Sequence, residues 1–183
     1  MVVPVSPAGA DGRGLREYLR QKARAMRSAA AAKPRGEQWR ETVSATCVAD
    51  DATGVRKLHM RDWELVGDSG PDFGGQGLGP SSPELFCGVI STCLTHTYLI
   101  AAATLDIPLD RVEVTVSSSN NDAHFLGIES DDPDMPFDIT ARVSLEAPDA
   151  TAGQVATLHG YAAERCPLSK LVREPNTVTL VTE

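Results

Sequence analysis

Residues Ser81 to Leu105 constrain the fold of this 183-residue chain more than any other stretch. The segment opens Ser81-Ser82-Pro83-Glu84. A serine hydroxyl can cap the first turn of a helix, proline suits its first position, and a carboxylate there faces the positive end of the helix dipole. Apolar residues then recur at 85, 86, 89, 90, 93, 94, 98, 101, 102 and 105, a 3.6-residue period. At ~1.5 Å per residue the predicted helix is roughly 35 Å long. Its other positions hold Ser, Thr and Ala rather than Lys and Glu. A long helix without a charged face belongs inside a fold, often against a partner subunit. Cys93 sits near its middle.

Charge divides the chain unevenly. The overall formal charge is -8. Arg13 to Arg35 carry eight Lys or Arg against one acid, Glu17. Everything after Gly36 has nine basic and 23 acidic residues, a net of -14. An acidic body lacks the local positive charge that phosphate contact needs, so no nucleic-acid partner is expected. The apolar stretch 85–105 includes two Cys, a His and several Ser and Thr, so it reads as a core helix, and no membrane span is expected. The N-terminus lacks the basic-then-apolar order of a secretory signal. Residues 13–35 share the Arg- and Ala-rich, acid-poor composition of a transit peptide, but an amphipathic helix accounts for them as well. Four Cys without framework spacing point to a reducing compartment, and a cytoplasmic location is expected.

Taken in order, residues 1–12 should be loose. Residues 13–33 predict a basic helix with a thin apolar stripe (Leu15, Tyr18, Leu19, Met26), lying on the body and ended by Pro34 and Gly36. Residues 1–37 thus form a tail and basic amphipathic helix, and 38–183 the main domain. From Gln38 the period changes to two, with Trp39, Val43, Ala45, Cys47 and Ala49 on one strand face. Strands at 55–60 and 62–66 would complete a meander. Residues 67–80 hold six Gly and two Pro and make a loop into the long helix. Strands follow at 111–117 and 137–145, then a second helix opened by Asp149 or Thr151, a short turn or helix at 168–172, and a last strand at 177–182. Sheets packed on a helical layer give an α+β fold.

Several side chains are candidates for chemistry. Cys93 lies on the buried side of the long helix, too deep for the helix terminus to lower its pKa, so a reactive thiolate there needs a cation from elsewhere. Cys166, at a helix end between Arg165 and Pro167, reads as the more accessible thiol. An inert core thiol is the competing reading of both. His96, three residues beyond Cys93, could share its face. Cys47, on an inner strand face, and Cys87, in the first turns of the helix, read as structural. No Cys-x-x-Cys and no paired histidine spacing is present, and Asp131, Asp132 and Asp134 do not follow a calcium-loop pattern, so neither metal nor cofactor is expected. The glycine run 74–79 lacks the Gly-Lys-Ser/Thr of a phosphate loop.

Ser82-Pro83-Glu84-Leu85-Phe86-Cys87-Gly88-Val89-Ile90-Ser91-Thr92-Cys93-Leu94 resembles the central-helix signature of the OsmC-like superfamily, which includes the organic hydroperoxide resistance proteins. Ala162-Ala163-Glu164-Arg165-Cys166-Pro167-Leu168-Ser169 resembles its second signature, and Phe125-Leu126-Gly127-Ile128 and Glu146-Ala147-Pro148-Asp149 also look like the family. The likeness covers about residues 38–183. It implies an OsmC-like fold, in which antiparallel sheets wrap long central helices of an intertwined homodimer. It further implies a thiol-dependent peroxidase acting on organic hydroperoxides, with Cys93 peroxidatic, Cys166 resolving, and a dithiol such as a lipoyl group, or a small thiol, as reductant. An Arg stabilising the thiolate is implied on an N-terminal strand; Arg56 matches best, with Arg40 and Arg61 as substitutes. The family places the Glu that holds this Arg ten residues before the reactive Cys. Pro83 stands there in this chain, and Glu84 follows one position later, about 100° around the helix. The activating pair predicts a depressed Cys93 pKa. The alternative function is a non-peroxidatic dimer binding an apolar small molecule at its interface, and an unrelated α+β binding domain with structural thiols is the third.

Overall fold

The computed structural model describes residues 14–32, 39–174 and 176–182. The expected loose segment 1–12 and the helix stop at Pro34 and Gly36 lie outside them.

The fold is built around α2 (Ser82–Leu105). Ser81 caps it: its hydroxyl accepts from the Glu84 amide while the Glu84 carboxylate accepts from the Ser81 amide at 2.7 Å, a reciprocal capping box. Asp106 ends it in the left-handed conformation (φ 53°). β4 (Arg111–Ser119) and β5 (Phe137–Glu146) form an antiparallel hairpin, with Val114 opposite Val143. The β4 residues alternate between solvent and α2, as a half-buried strand requires. α3 (Ala152–Arg165) and α4 (Pro167–Arg173) pack on another side of α2. The main core joins Tyr98, Ala101 and Ala102 of α2 to Leu109, to Leu158 and Ala162 of α3, and to Leu19 and Ala23. By length and composition α2 could cross a membrane, but these contacts on several sides make it a core helix.

Thr151 opens α3 with a second capping box, its hydroxyl accepting from Gln154 at 3.2 Å. Because α3 carries Cys166 at its far end, this cap helps fix the site. Thr151→Ala should cost about 1 kcal/mol of stability in denaturant titration, and Thr151→Ser much less. Equal losses for the two variants would mean that the cap contributes nothing.

The basic segment folds as α1 (Leu15–Ala32) and buries Leu19 and Ala23. Arg16 staples it down, donating to Asp110 at 2.5 and 2.7 Å and to Asp149 at 2.6 Å. Further along, Lys22 Nζ lies 3.1 Å from His96 Nε2. Residue 16 reaches Asp110, just past the end of α2, and residue 22 reaches His96 in its middle, so the helices run antiparallel. Burial, and secondarily the Lys22 charge, hold His96 below its usual 6.5. A lowered histidine favours the docked, neutral state above about pH 6.5, and that contribution is lost as pH falls through the lowered value. The Asp110 carboxylate, held down by Arg16, stays ionised over the same range. Between pH 7 and pH 5 the protection of α1 amides in hydrogen exchange should therefore fall, while β4–β5 protection should not. Unchanged α1 protection would show that the Lys22–His96 contact does not matter.

A separate antiparallel sheet holds β1 (Thr46–Ala49), β2 (Arg56–Met60) and β3 (Trp63–Gly67), in that order. The strand expected from Gln38 is thus shorter. Its pairing stops at Thr46–His59 because β2 turns away after Met60, where Arg61 adopts φ 55°, and no backbone remains for residues 40–45 to pair with. Cys47, expected on an inner face, is exposed because no layer among the described residues covers that face of β1, and Trp39, which lies outside the strand, is half-exposed. The C-terminal strand is also absent. Residues 177–182 pair with no strand among the described residues, and Val178 and Leu180 are nearly 90% exposed, at 89% and 88%.

The glycine-rich loop is ordered by Asp68, whose buried carboxylate accepts from the amides of Ser69, Gln76 and Leu78 at 2.8–3.0 Å. Gly79 passes so close to β3 that a Cβ would lie 2.2 Å from the Val66 carbonyl oxygen. The glycines here serve close backbone approach rather than phosphate binding.

Candidate active site

Cys93 and Cys166 meet where α2 crosses the α3–α4 junction. Pro167 disfavours the helical conformation at the residue before it. Cys166 accordingly takes φ -67°, ψ 115°, ending α3 and starting α4. Its amide still bonds Ala162 O (3.1 Å) and its carbonyl accepts from Lys170 (3.0 Å), so the break costs few hydrogen bonds. The kink turns the side chain inward, against Ile90 and Leu94 of α2. The Cys93 and Cys166 sulfurs lie 3.5 Å apart, both as free thiols. Phe86, Val114, Val116, Ile139 and Leu168 surround them. A disulfide would need closure to about 2.05 Å, a side-chain movement of about 1.5 Å.

Access is the reverse of the sequence expectation. Cys166 has 0% of its surface exposed, whereas Cys93 is only half-buried. A position at a helix end suggested exposure, but the Pro167 kink folds Cys166 under α4.

The electrostatics also depart from expectation. Burial pushes the Cys93 thiol up, and only the Leu168 amide counters it. Among the described residues no cation acts on it, so they do not supply the predicted depression. Burial raises Cys166 too, but the Ser169 hydroxyl, the Ser169 and Leu168 amides and the neighbouring Cys93 outweigh it and bring Cys166 below the ordinary thiol value. Ser169 was not singled out from sequence. Its spacing, three residues after a Cys that begins a helix, is where a capping partner falls, and that was the available signal.

Arg56 and Glu84 are not brought together. Arg56 Nη1 donates to Ser69 Oγ (3.2 Å), and Glu84 is committed to the Ser81 cap. Arg40 and Arg61 are exposed. His96 faces Lys22 rather than Cys93. Cys87 lies 3.4 Å from Ser118 Oγ beside a cleft of about 490 Å³ between α2 and β4, which Cys93 does not line. His159, unassigned from sequence, bonds the Tyr98 hydroxyl through Nδ1 at 2.7 Å and ties α3 to α2. Among the described residues no group of His, Cys, Asp or Glu could hold a metal ion.

A family profile described as OsmC-like protein matches residues 74–181, more than half of the chain and both cysteines. The chain belongs to the OsmC-like family. Solved structures agree on the fold. An OsmC-like protein from Mycoplasma pneumoniae superposes with a TM-score of 0.61 at 13% identity, covering 73% of this chain and 88% of that one. An organic hydroperoxide resistance protein OsmC from Legionella pneumophila gives 0.53 at 19% identity, over 73% and 90% of the two chains. An organic hydroperoxide resistance protein from Elizabethkingia anophelis gives 0.51 at 20% identity, over 75% and 91% of the two chains. No curated protein matches the sequence. The profile begins well after α1 and the first sheet, so the basic helix of this OsmC-like chain lies outside the family match.

Proposed function

We propose that this protein is a thiol-dependent peroxidase acting on organic hydroperoxides. The observation that carries the reading is the 3.5 Å approach of two free thiols within an apolar cluster, one partly exposed and one fully buried. The Cys93 thiolate attacks the terminal peroxide oxygen, the O–O bond breaks, and the alcohol leaves. The resulting sulfenic acid condenses with the Cys166 thiol, releasing water and forming a disulfide. A dithiol, of lipoyl type or a small thiol, restores both thiols by exchange. The apolar lining favours an alkyl hydroperoxide over hydrogen peroxide and sits around the sulfur where over-oxidation would occur.

The working unit is a homodimer in a reducing compartment such as the cytoplasm. Its support is the apolar surface one chain leaves uncovered, Val89, Trp63, Val178 and Leu180 among it. Dimerisation supplies the cation that Cys93 lacks, with Arg56 as the candidate and Glu84 as the residue holding that end of α2. The second reading, a dimer that binds an apolar molecule without peroxide chemistry, draws on the raised Cys93 thiol and the committed Glu84.

One equivalent of cumene hydroperoxide separates them. The peroxidase reading expects a Cys93–Cys166 disulfide by peptide mapping within a single turnover. Thiols left unchanged by the peroxide would favour the binding protein.

A further inference from the structure

We propose that the reducing thiol always enters at the Cys93 sulfur and that Cys166 is always the leaving sulfur. This inference rests on the peroxidase reading and specifies its second half.

A disulfide is opened by a thiolate approaching one sulfur along the S–S axis, from the side opposite the bond. Either sulfur is a target in principle, and access decides. Cys166 has no exposed surface, being enclosed by Ile90 and Leu94 of α2 and Leu168 of α4. Adding a second chain can only cover it further. Cys93 is half-buried, and any opening that admits a hydroperoxide to it also admits a thiol. Attack at Cys93 forms a bond between the reductant sulfur and Cys93 Sγ as the S–S bond breaks, and the electron pair departs on Cys166. That anion is received by the Ser169 hydroxyl and the Ser169 and Leu168 amides. A better stabilised thiolate leaves faster. The second thiolate of the dithiol then attacks the reductant's own sulfur in the mixed disulfide. The reductant becomes a cyclic disulfide, and Cys93 departs as a thiolate. Cys93 thus meets both substrates in turn, and Cys166 never leaves the interior.

The test uses full-length protein oxidised with diamide, so that disulfide formation does not depend on peroxide turnover. Excess 2-mercaptoethanol is added, and the reaction is quenched in acid within its first turnover. Free thiols are then alkylated with N-ethylmaleimide in denaturant, and adducts are located by fragment-ion mapping. The expected result is mercaptoethanol on Cys93 with maleimide on Cys166, exceeding the reverse pattern by about tenfold or more. Adducts shared equally, or placed on Cys166, would overturn the inference and leave the peroxidase reading standing. Failure of diamide to form the Cys93–Cys166 disulfide would overturn both.

Discussion

Replacing Cys93 by serine should lower dihydrolipoamide-dependent consumption of cumene hydroperoxide by about 10²–10³-fold or more, down to the free-thiol background. A serine hydroxyl at neutral pH has no anion comparable to a thiolate, so attack on the peroxide oxygen is lost rather than slowed. Cys166→Ser should behave differently. It keeps the attacking sulfur and should consume one equivalent of peroxide, then stall as the Cys93 sulfenic acid, which a dimedone-type probe would label. Wild-type protein should turn over cumene hydroperoxide faster than hydrogen peroxide because apolar side chains line the sulfurs. Equal steady-state rates for wild type and Cys93→Ser would sink the assignment of Cys93.

The largest effect on stability is expected at Leu158. It is wholly enclosed between α3 and α2, in the same core as Tyr98, Ala101 and Leu109. Truncation to alanine removes three carbons and leaves a cavity that rigid helix backbones cannot fill, a loss of about 2–5 kcal/mol. For a domain of this size that is a fall in Tm of roughly 5–15 °C. Leu158→Met conserves volume and should cost less than about 1.5 kcal/mol. A thermal scan showing the two variants to be alike would mean that α3 repacks freely against α2. In that case the 3.5 Å sulfur spacing would not be fixed by helix packing either.

The elements around the site were legible because their signals are local. Ser81 or Ser82, with Pro83 and Glu84, announces the start of α2, Asp149 or Thr151 that of α3, and Cys166-Pro167 a helix break, since caps and proline act within a few residues of their own position. The alternation of Val112, Val114 and Val116 fixed which side of β4 faces α2. The family signatures lie on these same segments, and so the two cysteines could be paired before any coordinates.

What the sequence alone did not decide depends on distant partners. Residues 40–45 and 177–182 have strand-like alternation but form no strand here, because a strand exists only where another backbone offers its N–H and C=O groups. The exposure of Cys93 and the enclosure of Cys166 follow from how α4 folds over the α3–α2 crossing, a packing outcome that Cys-Pro by itself does not specify. Likewise, the charges of α1 were plain in the sequence, but only the tertiary structure sets Arg16 between Asp110 and Asp149, 94 and 133 residues away. The chain therefore determined by itself where the helices around the site begin and break, which side of β4 faces α2, and the identity of the thiols. The three-dimensional packing decided which thiol faces solvent and which anion is stabilised, because burial and charge pairing are properties of neighbours that sequence distance does not encode.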